Sequence, residues 1–231
     1  MKLEEFVTLC SQKGLNLTEV HIQQFKTYAE LLIEWNQKMN LTAIDDFEGI
    51  LEKHFYDSLL PAFEYKIQGS LCDVGSGAGF PSIPLKIAYP ELVITLVEPL
   101  AKRCTFLKEV IHQLGIEANI YNVRAEDFAK DYRESFDYVT ARGVANLRVL
   151  SELCIPLVKK DGYFLAMKGM QGLSENDEAQ KALKTLGVVL EKDHKCELPD
   201  GSIRYNLLYK KVKNTDKKYP RAYAKIKKSP L

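Results

Sequence analysis

The run Leu71-Cys72-Asp73-Val74-Gly75-Ser76-Gly77-Ala78-Gly79-Phe80-Pro81 constrains this chain most. It reads as a buried strand, a glycine loop and a helix start without a break. Glycines at alternate positions remove the Cβ atoms that would hold a ligand off the backbone, and they admit positive φ. Pro81 suits the first turn of a helix whose free N–H groups face that ligand. The spacing then discriminates between cofactors. A dinucleotide fingerprint has its third glycine three places after the second; Phe80 stands there, and the third glycine is Gly79. G-x-G-x-G behind an acidic strand residue, Asp73, is the form typical of S-adenosylmethionine (AdoMet) loops. The next strand, Leu92–Val97, is a continuous apolar run ending in Glu98. A carboxylate there, about 20 residues past the loop, is placed to hold a ribose diol.

Composition sets the outer bounds. At 231 residues and 46% hydrophobic content, the chain supports one domain with modest extensions. With no signal-like N-terminus and no apolar run long enough for a bilayer, a cytoplasmic protein without membrane contact is expected, and a monomer. Cys10, Cys72, Cys104, Cys154 and Cys196 are scattered without a C-x-x-C pair, so they read as reduced thiols with neither a metal site nor a disulfide framework. The net charge of +1 conceals its placement: nine basic residues against Asp216 alone between Lys210 and Lys228 put +8 there and leave −7 elsewhere. Interleaved with Tyr209, Tyr219 and Tyr223, this segment suits phosphate contacts and base stacking, which points to nucleic acid. A solvated, partly disordered tail is the alternative.

Residues 1–66 read as a helical extension packed on the core. Thr18 caps a helix in which Ile22, Phe25, Ala29, Leu32, Trp35 and Met39 recur at threes and fours. After a break at Asn40-Leu41-Thr42, a second helix from about Asp46 puts Phe47, Ile50, Leu51, His54 and Phe55 on one face. His54 either borders a site or is bonded to a neighbouring carboxylate within the fold. Residues 67–213 alternate strand and helix, with strands at Asn119–Val123, Phe136–Ala141 and Tyr163–Met167, the last after a Lys160-Asp161-Gly162 turn. Val188–Leu198 and Arg204–Val212 flank Pro199-Asp200-Gly201 as a hairpin. An antiparallel hairpin closing a parallel α/β sheet predicts the seven-stranded, Rossmann-like class I AdoMet-dependent methyltransferase fold. Residues 214–231 are the basic tail.

Absent motifs narrow the methyl acceptor. Enzymes that methylate an exocyclic amine commonly carry Asp/Asn-Pro-Pro-Tyr/Phe after the fourth strand; here that place reads Thr140-Ala141-Arg142-Gly143-Val144. Carbon methylation of cytosine needs a thiolate, and Cys154 lies on an apolar helix face. The N7 atom of guanine has a lone pair and no proton to lose, so positioning alone supplies much of its rate. Oxygen acceptors stay open.

Asn40-Leu41-Thr42-Ala43, His54-Phe55-Tyr56-Asp57-Ser58-Leu59, the loop 73–81, Arg124-Ala125-Glu126-Asp127, Thr140-Ala141-Arg142, Ala166-Met167-Lys168-Gly169 and the ending from Lys218-Tyr219-Pro220-Arg221 to Ser229-Pro230-Leu231 occur in this order. Together they resemble the glucose-inhibited division protein B family over nearly the whole chain. Its members are bacterial 16S ribosomal RNA guanine-N7-methyltransferases. The resemblance implies AdoMet as cofactor, 16S rRNA or a small-subunit precursor as partner, and a single guanine in the decoding region as target. It places Gly75 and Phe80 on the cofactor, Ala125 and Glu126 beside its adenine, and Arg142 where cofactor and substrate meet. Asp73, Gly77, Gly79 and Glu98 complete the candidate cofactor set. Arg142 and Lys168 are the candidate catalytic residues, with Lys168 expected to face RNA. Asn40, Thr42, His54, Arg221, Lys225, Lys227 and Lys228 are the candidate RNA contacts.

Three positions depart from the family pattern: Ser82 for a common Gly, Gly143 for a usual Ala, and Ala222–Ile226 for a Gly-x-Pro stretch. Deleting the chain from Tyr219 onward is expected to weaken RNA binding while cofactor binding survives. Two other functions share the loop: a small-molecule or protein methyltransferase, which leaves the basic tail unexplained, and a noncatalytic ribosome-assembly factor, against which the intact loop argues.

Overall fold

The computed structural model describes residues 1–231. The chain opens with α1 (Leu3–Gln12) and α2 (Glu19–Met39). Thr18 caps α2 as expected: its hydroxyl accepts from the His21 N–H at 3.3 Å, and its own N–H donates to the His21 ring at 3.5 Å. The apolar stripe of α2 buries Phe25, Tyr28, Ala29 and Leu32 completely, whereas Trp35 reaches only the margin, 5.6 Å from the Phe106 ring. The next helical run is continuous but changes register. α3 (Phe47–Ile50) widens into a π-helical stretch, Leu51–Tyr56, and tightens again as α4 (Asp57–Glu64). Such widened turns occur frequently at functional sites, and this one carries His54.

Five strands, β1 (Ser70–Val74), β2 (Val93–Val97), β3 (Asn119–Tyr121), β4 (Phe136–Arg142) and β5 (Val158–Lys168), run parallel. The hairpin of β6 (Val188–Glu197) and β7 (Ile203–Lys211) pairs antiparallel to β5, giving the order β3-β2-β1-β4-β5-β7-β6. Between strands lie α5 (Ser82–Ala88), α6 (Ala101–Leu114), α7 (Ala125–Asp131), α8 (Leu147–Cys154), α9 (Gly172–Glu178) and α10 (Gln180–Leu186). Strand periodicity sorts the core into two layers. Leu71, Tyr138 and Leu165 join α1, α2, α5 and α6 on one face, while Cys72, Val139 and Phe164 join α7, α8 and α10 on the other. All five cysteines are free, and only Cys196 is not fully buried. No helix is long and apolar enough to cross a membrane.

Two local expectations need correction. β3 stops at Tyr121, and β5 begins at Val158, so Lys160-Asp161-Gly162 lies inside the strand. There the register against β4 shifts and Asp161 takes φ 65°, a bulge that replaces the expected turn. Gly162 is required because a Cβ would stand 2.6 Å from the Asp137 carbonyl oxygen.

The tail does not extend into solvent; it folds back on the body. Arg133 donates to the carbonyls of Thr215, Asp216 and Tyr219 at 2.5, 2.8 and 2.5 Å. Lys211 is fully buried, donates to the Ile155 and Val158 carbonyls, and lies 3.3 Å from Glu134. Beyond it, α11 (Tyr223–Lys228) buries Ile226 in the layer that contains α8. Two of the nine basic residues, Lys211 and Arg221, are thereby paired with Glu134 and Glu152 of the body, while Lys213, Lys217, Lys218, Lys225, Lys227 and Lys228 stay exposed.

Candidate active site

The glycine loop leaves β1 directly after Asp73 and Val74, and its three glycines have φ of 69°, 59° and 103°. Their neighbours differ. A Cβ on Gly75 would stand 2.8 Å from Val144, and one on Gly79 would strike Ile83 at 2.5 Å and the Tyr28 hydroxyl at 2.6 Å. A Cβ on Gly77 would meet nothing closer than 3.9 Å. Gly77 is thus the position where backbone faces open space, while Gly79 makes room for α2. Tyr28 fixes that contact by donating to the Ala78 carbonyl at 2.5 Å.

Glu98 is buried at the end of β2, and its Oε2 and Oε1 accept from the N–H groups of Gly77 and Leu100, both at 2.9 Å. A carboxylate offers about four lone-pair positions, so Glu98 can hold the loop and accept from a diol together. Beneath the loop, the buried Asp73 Oδ1, Ser76 Oγ and Ser82 Oγ have no hydrogen-bond partner. Burial pushes the Asp73 carboxyl up to about 7, although the Ser82 N–H donates to its Oδ2 at 3.3 Å. Orphaned buried polar atoms are costly and ask for a polar ligand or water. Alongside, a cavity of about 120 Å³ is lined by Gly75, Val97, Ala125, Glu126, Val144 and Tyr223, among others. Polar orphans, a strand-end carboxylate and an apolar cavity suit an amino acid, a ribose and a purine respectively, so these residues fit AdoMet.

At the carboxyl end of β4, Arg142 is drawn into the protein. Its guanidinium lies 4.9 Å from the centre of the Phe80 ring, donates to Asp57 and to the Lys53 carbonyl at 3.1 Å, and points at His54 Nδ1 at 3.2 Å. Asp57, almost fully buried, also accepts from Arg204 on β7 at 3.1 Å. His54 stacks on Phe80 at 4.5 Å, and its Nε2 lies 2.7 Å from the Thr42 hydroxyl. Burial first, and then the Arg142 charge, push the His54 pKa down to about 3. Neutral His54 accepts at Nδ1 from Arg142 and donates from Nε2 to Thr42. Its partners are a hydroxyl and a guanidinium, where a carboxylate had been the alternative.

Lys168 does not stand free. Its Nζ pairs with Glu175 at 2.7 Å and donates to the Ala145 carbonyl at 2.9 Å, while Glu175 also accepts from the Leu147 N–H at 2.7 Å. It braces the loop that follows Arg142. Cys154 is fully buried, and burial raises its thiol pKa well above the usual range. Asn40 stands exposed where α2 ends, at φ 49°. Arg221 has a different task from a free tail cation: it grips the buried Glu152 with Nε at 2.7 Å and a terminal nitrogen at 2.6 Å. Lys225, Lys227 and Lys228 are exposed on α11.

Sequence reasoning missed Tyr28, Arg204 and Glu152. Asp57 and Arg124 stand within motifs quoted above, but nothing in them announced a double-arginine anchor or a cavity wall. Tyr223 was read as a base-stacking residue of the basic segment, whereas the structure places it in the wall of the cavity beside the glycine loop.

Sheet order, glycine loop and strand-end carboxylate define a class I AdoMet-dependent methyltransferase. The family model "GidB: rRNA small subunit methyltransferase G" matches residues 21–203. Relatives named ribosomal RNA small subunit methyltransferase G include one from Lysinibacillus sphaericus, 48% identical and covering 100% of both chains. Another, from Bacillus subtilis, is 46% identical and covers 100% of this chain and 99% of its own. The chain belongs to the rRNA small subunit methyltransferase G family. Among solved structures, Pyrococcus horikoshii TYW2 in complex with MeSAdo has a TM-score of 0.54 at 17% identity, covering 68% of this chain and 62% of its own. Precorrin-6y C5,15-methyltransferase from Geobacter metallireducens gives 0.51 at 13%, covering 68% and 87%. At those identities the likeness is one of fold.

Proposed function

We propose that the protein transfers a methyl group from AdoMet to N7 of one guanine in the decoding region of 16S rRNA, in the cytoplasm. The observation that carries the choice of acceptor is the state of the groups around Arg142. His54 has both ring nitrogens engaged and a pKa pushed down to about 3, and Cys154 is a buried thiol, so His54 does not serve as general base nor Cys154 as covalent nucleophile. Guanine N7 needs neither. The family's rRNA acceptor and the exposed Lys225, Lys227 and Lys228 support an RNA substrate.

When bound, AdoMet supplies an electrophilic methyl group on a cationic sulfur. Glu98 would accept from the ribose, Asp73 and Ser76 would hold the amino-acid end, and Ala125 and Glu126 would flank the purine. Arg142, held by Asp57 and stacked on Phe80, presents its guanidinium to guanine O6 or a phosphate, which leaves N7 free to attack. Lys168 keeps the loop after Arg142 in place. Attack by N7 would break the sulfur–methyl bond and leave a neutral thioether, so the positive charge would pass to the purine with no proton lost from N7.

The test is incubation with labelled AdoMet and RNA lacking the modification, followed by chemical cleavage at N7-methylguanosine. Arg142→Ala and Lys168→Ala are expected to lower single-turnover methylation by on the order of 10²-fold through lost positioning, with the fold intact. The chemical step is expected to be flat across roughly neutral pH. Lys225, Lys227 and Lys228 changed together to Gln are expected to flatten the log–log salt dependence of RNA binding by about 0.7 per lost single-strand contact. Methyl on another atom, wild-type rates in both variants, or a titration that vanishes in His54→Ala overturns the assignment.

A further inference from the structure

The cavity beside the glycine loop has walls from β1, β2, α7 and α8, and one residue from far outside them. That residue is Tyr223, which reaches it from the C-terminal tail beyond β7. Its position is prepared on both sides. Two residues earlier, Arg221 grips buried Glu152 through both carboxylate oxygens; three residues later, Ile226 is fully buried. Further on, Arg148 donates to the carbonyls of Leu231 and Pro230 at 2.9 and 3.1 Å. From the opposite side, Arg124 sets its guanidinium 5.5 Å from the centre of the Tyr223 ring, within cation–π range. A half-buried aromatic ring is therefore held at the mouth of a small, mostly apolar space that also contains Gly75, Ala125 and Glu126.

We propose that Tyr223 is a cofactor-positioning residue, the wall against which the adenine base rests, and that the tail is a cover over the cofactor pocket. This inference rests on the AdoMet reading of the cleft. The chemistry is that of a flat π system beside a purine, where a single aromatic side chain commonly contributes a tenfold or larger share of affinity. The ring carries that contribution, so the hydroxyl is dispensable. The expectation that cofactor binding survives loss of the tail is reversed.

Calorimetric titration of the full chain with S-adenosylhomocysteine, and competition by adenosine, test it. Tyr223→Ala is expected to raise Kd for both ligands by about tenfold, because the loss lies at the base they share, and Tyr223→Phe to stay near the wild type. Tyr223→Leu keeps apolar bulk, and with it the docked tail and the melting temperature, and is expected to show the same weakened binding. Unchanged Kd in Tyr223→Ala, a loss confined to S-adenosylhomocysteine, or full affinity in Tyr223→Leu overturns the proposal. Wild-type protein that binds neither ligand overturns the cofactor reading itself, and this inference with it.

Discussion

The segments before and after the methyltransferase core both close on the cofactor cleft, but they are held there by different forces. On the N-terminal side, Phe25, Tyr28, Phe55 and Phe80 form a chain of rings 5.0 to 5.5 Å apart, merged with a 35-residue core cluster. On the C-terminal side, Tyr219 and Ile226 alone are buried in the core cluster, and most of the rest is directional: Arg133 to three carbonyls, Arg148 to two, and Arg221 to one buried carboxylate. Hydrophobic burial scales with area and adds about 1.5–3 kcal/mol per large side chain. An anchor of a few hydrogen bonds fails when one partner is removed. The N-terminal helices are thus built into the core, and the tail is held by a small number of directional contacts.

The largest expected effect breaks the aromatic side. Phe55→Ala, at a fully buried position between Phe25 and Tyr28, is expected to cost about 3–5 kcal/mol in urea unfolding. A loss below about 1 kcal/mol would mean that the N-terminal helices are as detachable as the tail.

Next comes the seam where that segment meets the glycine loop. Asp73, raised to about 7, binds a proton in the folded state that the unfolded chain has released, so its contribution falls as pH rises from about 4 to 7. His54, lowered to about 3, behaves oppositely: the unfolded chain holds the extra proton, and stability rises with pH from about 3 to 6.5. Each effect is on the order of 4 kcal/mol at full titration, and they offset each other between about pH 4 and 6.5. Asp73→Asn is expected to leave the His54 slope alone, making stability climb with pH where the wild type is nearly flat. Thermal melts across that range check this, and parallel profiles for the two proteins would refute it.

The smallest expected effect sharpens the other side. Glu152→Gln removes the charge partner of Arg221, at a cost of about 2 kcal/mol, since Arg221 keeps some contact with water. Limited proteolysis is expected to clip the tail beyond Tyr219 while the core resists. A tail as resistant as the wild type's would show that Ile226 and Tyr219 hold it without the ion pair.

The elements that sequence reasoning located are those whose signals are local. The glycine loop, Glu98 at the end of an apolar run, the Thr18 cap and the final hairpin each declare themselves within a few residues. The positions that differ depend on partners that residue type alone does not reveal. Lys168 and Arg221 are visibly basic, but Arg221's partner Glu152 lies 69 residues away, and charge alone does not say whether a cation is free. Gly79 was legible as a required glycine, while one of its two close neighbours, alongside Ile83, is Tyr28, 51 residues earlier. Lys160-Asp161-Gly162 carries a turn signal that pairing of β5 with β4 overrides as a bulge.

By itself the sequence determined the fold class, the cofactor loop and the family. Strand periodicity, helix caps and glycine spacing act through backbone conformation and near neighbours, and they survive in a linear reading. Only the tertiary structure decided which charges are spent internally, that His54 is neutral against Arg142, and that Tyr223 reaches the cavity beside the glycine loop. Those outcomes rest on burial and on contacts between residues tens of positions apart, and both exist only once the two faces of the sheet have been covered.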